Sequence, residues 1–593
     1  MAVTESLDAI RWDLADLVDG AGADGVDSLI DRALEQAASF AQRRRGKLAE
    51  MDGAALAEAM RELGDIYDLV GRADSYASLD FSTDTSDPVR GALVARVSER
   101  LTELSTTLLF FELEWAALDD ERVEELLAHA DLDFCRHHLR TARRYRSHLL
   151  SEPEERVMTE KSVSGASAWT RLFAELTGAL EVSIDDEAVA LDVALARLMS
   201  PSRDTRRESA EAVTAALEPG LRTRAFLFNT LLIDKATDDR LRTYPHWLAA
   251  RNLANEASDE SVAALVAAVK GRYELVRRWY RLKARLLGIE RLAYYDRVAP
   301  LVADEVDIGW AEAREMVLDA YDAFSPELAG VARRFFEQPW IDAPPGKGKR
   351  GGAFCAYTVP SVHPYVLLNF TSRRNDVLTL AHELGHGVHA ALAAGQGVFH
   401  QSTPLTLAET ASVFGEALTF ARLLEASPTP AARLSLLAED IEGSIATVFR
   451  QVAMNQFEQL VHTERREQGE LSVERFGELW FQTQTELLGD SVEITDDYRS
   501  WWSYIPHFIN TPGNVYAYAY GQLLALSVYE RYLQEGAGFE QRYLEMLSAG
   551  GSMSPEDLGE IVGVDLRDPV FWDRGLDLLE RRQEAAEAAA ADL

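Results

Sequence analysis

Apolar positions recur every three to four residues over most of this chain, the period of an α-helix with one buried face. Sustained runs cover Ala54–Leu69, Ala92–Leu118, Ser261–Leu287 and Ala431–Glu467. Each run predicts a helix. Strand-like patterns are few. The clearest are Gly351–Thr358 and Tyr365–Phe370, where β-branched and aromatic residues sit among glycines and flank a loop holding Pro360 and Pro364. They predict two short strands. There is no internal repeat and no long Gly/Ser-rich or Pro-rich linker, so the expected architecture is mostly α. A chain of 593 residues that is 47% hydrophobic can bury a large core. Breaks near Ser183–Asp186 and Ser200–Arg203 predict an N-terminal helical region, 1–200, and a second region, 201–593, with a soft boundary. The Ala/Glu-rich tail Glu584–Leu593 is expected to be a fraying helix.

One helical segment departs from the rule of one polar face. Val377, Leu378, Leu380, Leu384 and Val388 make it apolar nearly all round through Ala394, so it is expected to be buried. Asn375 or Asp376 is the expected N-cap. Inside it lies His382-Glu383-Leu384-Gly385-His386. Residues four apart share a helix face, so the two imidazoles can reach one ion, and Glu383 beside them is placed as a base for water rather than as a ligand. Two hydrogen-bonded core histidines are the structural alternative. Gly385 costs about 1 kcal/mol against Ala in a helix, and close approach of another backbone would explain it.

A third ligand must come from another element. His389 shares the face, but at ~1.5 Å per residue it lies about 10 Å along the axis from His382, too far for one ion. The pattern H-E-x-x-H-x-x-G-x-x-H is excluded, because His389 and Leu392 stand where it needs glycine and histidine. His389 is expected either in the substrate cleft or as a core histidine. Downstream, Thr403-Pro404 predicts a helix start with Pro at the first helical position. Glu409 follows in the second turn, and Glu416 lies seven residues on, on the same face. Spacing leaves both open as ligands, and Thr406-x-x-Glu409 also reads as a capping box.

Residues 504–521 carry a second constellation: His507, the loop Thr511-Pro512-Gly513-Asn514, then Tyr516, Tyr518 and Tyr520. An imidazole or phenol opposite a metal can donate to the oxyanion formed during amide hydrolysis. An aromatic core helix is the alternative.

His382–His389 followed by Leu407–Glu416 resembles the oligoendopeptidase F branch of the thimet oligopeptidase family. The resemblance covers most of the chain, is strongest over about 350–525 and is weak before 150. It implies one Zn²⁺ per chain, held by His382, His386 and Glu409, with Glu383 as general base. For the oxyanion it implies His507 and Tyr518; one extra residue after His507 leaves Tyr516 and Tyr520 open. It implies a two-part helical zincin-type peptidase with a deep central channel and a small β-sheet next to the metal helix. Residues 1–200 would then form a channel wall or lid. The expected substrates are short unfolded peptides, with the edge strand pairing to their backbone. A zinc carboxypeptidase of related fold and a catalytically silent peptide-binding protein are the rival readings.

The net charge of −37 argues against nucleic acid and anionic membranes as partners. Two cysteines, Cys135 and Cys355, give no disulfide framework and suit a reducing cytoplasm. Met1–Glu5 does not open a secretory signal, and no apolar run reaches 18 residues.

Overall fold

The computed structural model describes residues 6–162, 164–185, 187–301 and 307–593. Met1–Glu5, and Asp186 in the expected break at Ser183–Asp186, lie outside the described residues.

The helical periods become helices with identifiable starts. Gly53–Thr83 is capped by Asp52, whose side chain accepts from the Ala55 N–H. Pro88–Ala117 starts with Pro at the first turn, and Asp87 accepts from the N–H groups of Val89 and Arg90. Ser261–Leu287, expected as one run, forms two helices, Asp259–Gly271 and Tyr273–Leu286. Between them Arg272 takes φ −108° and ψ 16° after Gly271, which ends the first helix. Ala431–Glu467 is Pro430–Ser444, a wide π turn at Ile445–Phe449, and Arg450–Gln468.

The chain divides into two compact units. One comprises Met1–Arg146, Glu305–Glu425 and Val528–Leu566; the other Ser147–Asp304, Ala426–Ser527 and Arg567–Leu593. A single cut at residue 200 does not separate them, because 147–200 belongs with 201–304. The reason is local. The segment Ser200–Arg203 only starts the helix Arg203–Leu217, capped by Ser202. Both sides of it are tied: Arg206 Nη1 donates to the carbonyls of Ser200 at 2.7 Å and Pro201 at 3.0 Å, and Ser209 Oγ donates to the Ala194 carbonyl at 2.8 Å. The other expected break, near Ser183, is flanked by two antiparallel strands, Glu181–Ile184 and Glu187–Ala190.

In the first unit, the helices Gly22–Arg44, Gly53–Thr83 and Pro88–Ala117 pack around Phe40, Leu63, Phe110 and Trp115. Tyr365 enters the same core and donates from its hydroxyl to the Asp13 carbonyl at 2.9 Å. That ties to the helices a three-stranded sheet with Tyr365–Leu367 at its centre. Ile341–Asp342, not expected from the pattern, pairs parallel on one side, with Ile341 opposite Val366. Phe354–Ala356 pairs antiparallel on the other, with Cys355 opposite Val366.

The sheet packs on the motif helix, Arg374–Ala393. Its N-cap is Arg373, not Asn375 or Asp376. Asp376 sits at the third helical position, and its carboxylate reaches back to the N–H groups of Arg373 at 3.1 Å and Thr371 at 2.6 Å. The helix is buried at Val377, Leu380, Ala381 and Leu384. Gly385 faces the helix Leu405–Ala426. A Cβ there would lie 2.6 Å from the Ser412 Cα and inside contact distance of the Ala411 carbonyl, so the two backbones touch directly. Among the described residues no helix is long and apolar enough to cross a membrane.

This contact sets the first prediction. Gly385→Ala gains about 1 kcal/mol of helix propensity but forces the Ala411–Ser412 backbone away, and such overpacking costs ~1–3 kcal/mol. The expected outcome is a lower urea midpoint together with weaker metal retention. Unchanged values for both would mean that the helices do not depend on this approach.

Candidate functional site

Three side chains from the two touching helices converge. His382 and His386 project one turn apart from the motif helix. Glu409, in the second turn of Leu405–Ala426, meets them. His382 Nε2 is 3.2 Å and His386 Nε2 3.5 Å from Glu409 Oε2. One ligand atom from each of the three residues lies within 4.8 Å of the others. Two imidazole nitrogens and one carboxylate oxygen are the donor set of catalytic zinc sites with an open fourth position, so these residues fit a zinc ion by both chemistry and spacing.

Each of the three residues also has a further partner. His382 Nδ1 lies 3.1 Å from Glu416 Oε2. The His386 ring donates to the Ala408 carbonyl. Ser412 Oγ donates to Glu409 Oε2 at 2.8 Å. Partners of this kind fix the tautomer and ring orientation of imidazoles that hold a metal. Glu416 therefore contacts the nitrogen of His382 that faces away from Glu409. The Glu409 carboxylate turns to the histidines and Ser412 rather than back to cap its own helix.

Burial sets the charge states. It holds His386 down at about 4, with the charge of His382 adding to it and Glu409 opposing, so the imidazole is neutral. Glu409 is also opposed by burial, but its bond to His382 and the two imidazoles outweigh that and hold it at about 2. Burial pushes Glu383 up to about 7, against the charge of His382. Its carboxylate also accepts the Cys355 N–H from the edge strand, a contact that no residue pattern announced. Ser412 was accessible to sequence reasoning, being three residues after Glu409 on one helix. His389 does not join the convergent group. It is buried, its Nδ1 has no partner among the described residues, and burial lowers it to about 3.

Two cavities meet at His382, Glu383 and Ala353. One, of about 410 Å³, continues past Glu416, Asn375 and Phe370. The other, of about 470 Å³, continues past His386, Glu409 and Tyr357.

His507 and Tyr518 belong to the second unit. His507 opens the short helix His507–Asn510. Burial lowers its pKa, and so does the neighbouring Arg450 guanidinium, placed just after the π turn. The ring of Tyr518 meets His507 edge-on, with centroids 5.9 Å apart. Tyr518 is partly exposed, whereas Tyr516 and Tyr520 are fully buried. The Tyr516 hydroxyl accepts from Asn255 Nδ2 at 3.0 Å, and the Tyr520 hydroxyl is 3.1 Å from Ser261 Oγ. The face holding 516 and 520 is thus spent on the core.

The second prediction follows from that difference. Tyr516→Phe and Tyr520→Phe should each lose ~1 kcal/mol or more of unfolding free energy, because a buried partner is left behind, and should leave turnover within about threefold. Urea unfolding with a peptide assay checks this; a large fall in turnover with unchanged stability would put one of these phenols at the chemistry.

Known proteins resemble this chain along most of its length. The family description "Peptidase family M3" matches residues 319–578 and "Oligopeptidase F" matches 114–181, together more than half of the chain. Oligopeptidase PepF of Bacillus subtilis is 27% identical over 556 residues, covering 92% of this chain and 82% of its own. The crystal structure of oligoendopeptidase-F from Enterococcus faecium has the same fold, with TM-score 0.74 at 23% identity over 96% of this chain and 100% of that one. A crystal structure from Chlamydophila abortus superposes with TM-score 0.84 at 22% identity over 99% of both chains. The two matches and the named relatives agree, and they show that the chain is a member of peptidase family M3, in its oligopeptidase F branch, and a metallopeptidase.

Proposed function

We propose that this chain is a zinc-dependent endopeptidase of short unfolded peptides, with His382, His386 and Glu409 as the ligands. The observation that carries the reading is the convergence of these three side chains within 4.8 Å, with Glu383 beside them in the same cavity. Zinc bound there would polarise the scissile carbonyl and acidify water. The protein does the rest. Glu383 takes the proton of the attacking water and delivers it to the leaving amine. Its depth in the helix and the Cys355 N–H keep the carboxylate aimed. Glu416 and the Ala408 carbonyl hold the two imidazoles in their working orientation. The edge strand Phe354–Ala356 aligns the substrate backbone by adding it to the sheet. The resemblance assigns His507 and Tyr518 the task of donating to the oxyanion, and the edge contact between their rings supports treating them as a pair.

Cleavage within a peptide rather than at its end is favoured by the two cavities, which leave room beyond His382 and Glu383 in two directions. A carboxypeptidase would need a cationic clamp beside the metal, and among the described residues neither cavity is lined by lysine or arginine. The names of the relatives, oligopeptidase and oligoendopeptidase, support short substrates. The net charge of −37 supports a partner that is neither nucleic acid nor anionic lipid. Free Cys135 and Cys355 suit a reducing cytoplasm.

The reading is tested with a C-terminally amidated peptide, with and without chelator. Chelation should abolish internal cleavage and one equivalent of zinc should restore it. Glu383→Gln should retain zinc and lose at least ~10²-fold in turnover. Cleavage of the free-acid form alone, with the amidated peptide left intact, or activity that survives in Glu383→Gln, would overturn the reading; peptide binding without cleavage of either form would identify a silent binding protein.

Glu409 and Glu416 separate in a metal-retention assay. Glu409→Ala removes a ligand and should strip the zinc. Glu416→Ala removes only the partner of His382 Nδ1 and should weaken retention by ~10–100-fold, the usual effect of such a loss. The reverse order would exchange their roles.

A further inference from the structure

Glu458 has no exposed surface and takes no part in the chemistry described above. It lies in the second unit on the helix Arg450–Gln468. Its Oε1 accepts the Gly513 N–H at 2.7 Å, and its Oε2 has no partner among the described residues. His462, one turn further along, stacks on Trp247 with centroids 4.6 Å apart. Trp247 and its neighbour then press on the other side of Gly513, where a Cβ would lie 2.7 Å from Leu248 Cδ1 and 3.3 Å from Trp247 Cζ3. Gly513 has φ +78°, which a side chain would also strain. The loop Thr511–Asn514 is thus gripped at a single residue, by Glu458 on its N–H and by Trp247 and Leu248 on its Cα.

That loop joins the two residues assigned to the oxyanion. His507 stands on the short helix before it, and Tyr518 on the helix Tyr516–Glu535 after it. Backbone bonds run through it without a gap. The Thr511 N–H donates to the His507 carbonyl at 3.2 Å, the Asn514 N–H to Thr511 at 3.1 Å and the Ala517 N–H to Asn514 at 3.0 Å. Any shift of Gly513 therefore reaches both helix ends.

We propose that Glu458 is a positioning residue: through the Gly513 N–H it fixes the Thr511–Asn514 loop and with it the relation of His507 to Tyr518. The proposal rests on the oxyanion role given to those two residues above. An apolar side chain would fill the same space more cheaply, since burying a carboxyl without full pairing is unfavourable, but it would leave the Gly513 amide with no acceptor. Burial pushes the Glu458 carboxyl up to about 8 against the Gly513 N–H and the charges of Arg251 and Lys235. At neutral pH the group is then mostly protonated, and glutamine reproduces it.

The test compares Glu458→Gln with Glu458→Leu and Glu458→Met, which keep the volume and remove the acceptor. Amide exchange at Gly513–Val515 is read by mass spectrometry, beside kcat, KM, zinc content and melting temperature. Glu458→Gln should match the unsubstituted enzyme. The apolar variants should keep their zinc, exchange at least ~10-fold faster at Gly513–Val515, and lose about 10–10²-fold in kcat with KM changed less than about threefold, the signature of misplaced groups rather than lost binding. Unaltered exchange would overturn the anchor whatever the activity. Accelerated exchange with full kcat would overturn its link to catalysis. Failure of both apolar variants to fold while Glu458→Gln folds would make the residue a plain core element and overturn the proposal. Absence of chelator-sensitive cleavage in the unsubstituted enzyme would instead defeat the metallopeptidase reading, and the exchange measurement does not depend on it.

Discussion

The direct contact between two helix backbones at Gly385 governs the site. With no Cβ on Gly385, the Ala411–Ser412 backbone closes onto the motif helix. At that approach one Glu409 oxygen lies 3.2 Å from His382 Nε2 and 3.5 Å from His386 Nε2. The seven-residue spacing of Glu409 and Glu416 then has a geometric use. Two turns of helix advance about 10 Å, so one carboxylate reaches Nε2 of His382 while the other reaches Nδ1 of the same ring. A second glycine supports the arrangement. Gly415 leaves room for Tyr321, whose hydroxyl donates to the Ala381 carbonyl at 2.5 Å, one residue before His382.

Such closeness has an electrostatic consequence. Two glutamates and two histidines crowd a half-buried space, where each charge is compensated by another. Carboxylates on both sides push His382 well above the usual imidazole range in spite of its burial. His386, with a backbone carbonyl as its outer partner, stays neutral. Glu409 thus sets negative charge where the Nε2 atoms of the two rings converge, and Glu416 adds more behind His382. Buried charge of this kind destabilises a fold unless it is paired, which is a reason to expect metal and fold to support one another.

Much of this was legible in the sequence because it is written in short-range spacing. The histidine pair, the glutamate between them, the buried character of the helix, the close approach at Gly385 and the strands around Phe354 and Tyr365 all lie in segments whose spacing or short-range pattern is visible in the sequence. The distinction between Glu409 and Glu416 was not legible, since both sit on one face and only the facing helix decides which ring nitrogen each meets. The strand Ile341–Asp342 is two residues long and carries no period at all. The Cys355 N–H on Glu383 is a backbone donor, which residue identity cannot announce. The two units interleave along the chain, so a composition break such as Ser200–Arg203 marks a helix start and not a boundary between units. The anchoring of Gly513 by Glu458 joins residues 55 positions apart, and a glutamate in a helix that also carries Arg450, Glu464, Arg465, Arg466 and Glu467 reads as a surface residue until its burial is seen.

The central claim is that one metal sits where His382, His386 and Glu409 meet, with Glu416 outside it. Anomalous diffraction from zinc-loaded crystals, recorded on both sides of the zinc edge, tests that most directly. The account predicts one strong peak within about 2.0–2.2 Å of Nε2 of both histidines and of a Glu409 oxygen, with the Glu416–His382 Nδ1 contact intact. A peak bound to Glu416 or His389 in place of Glu409, or a second peak of equal height in the same site, would contradict it.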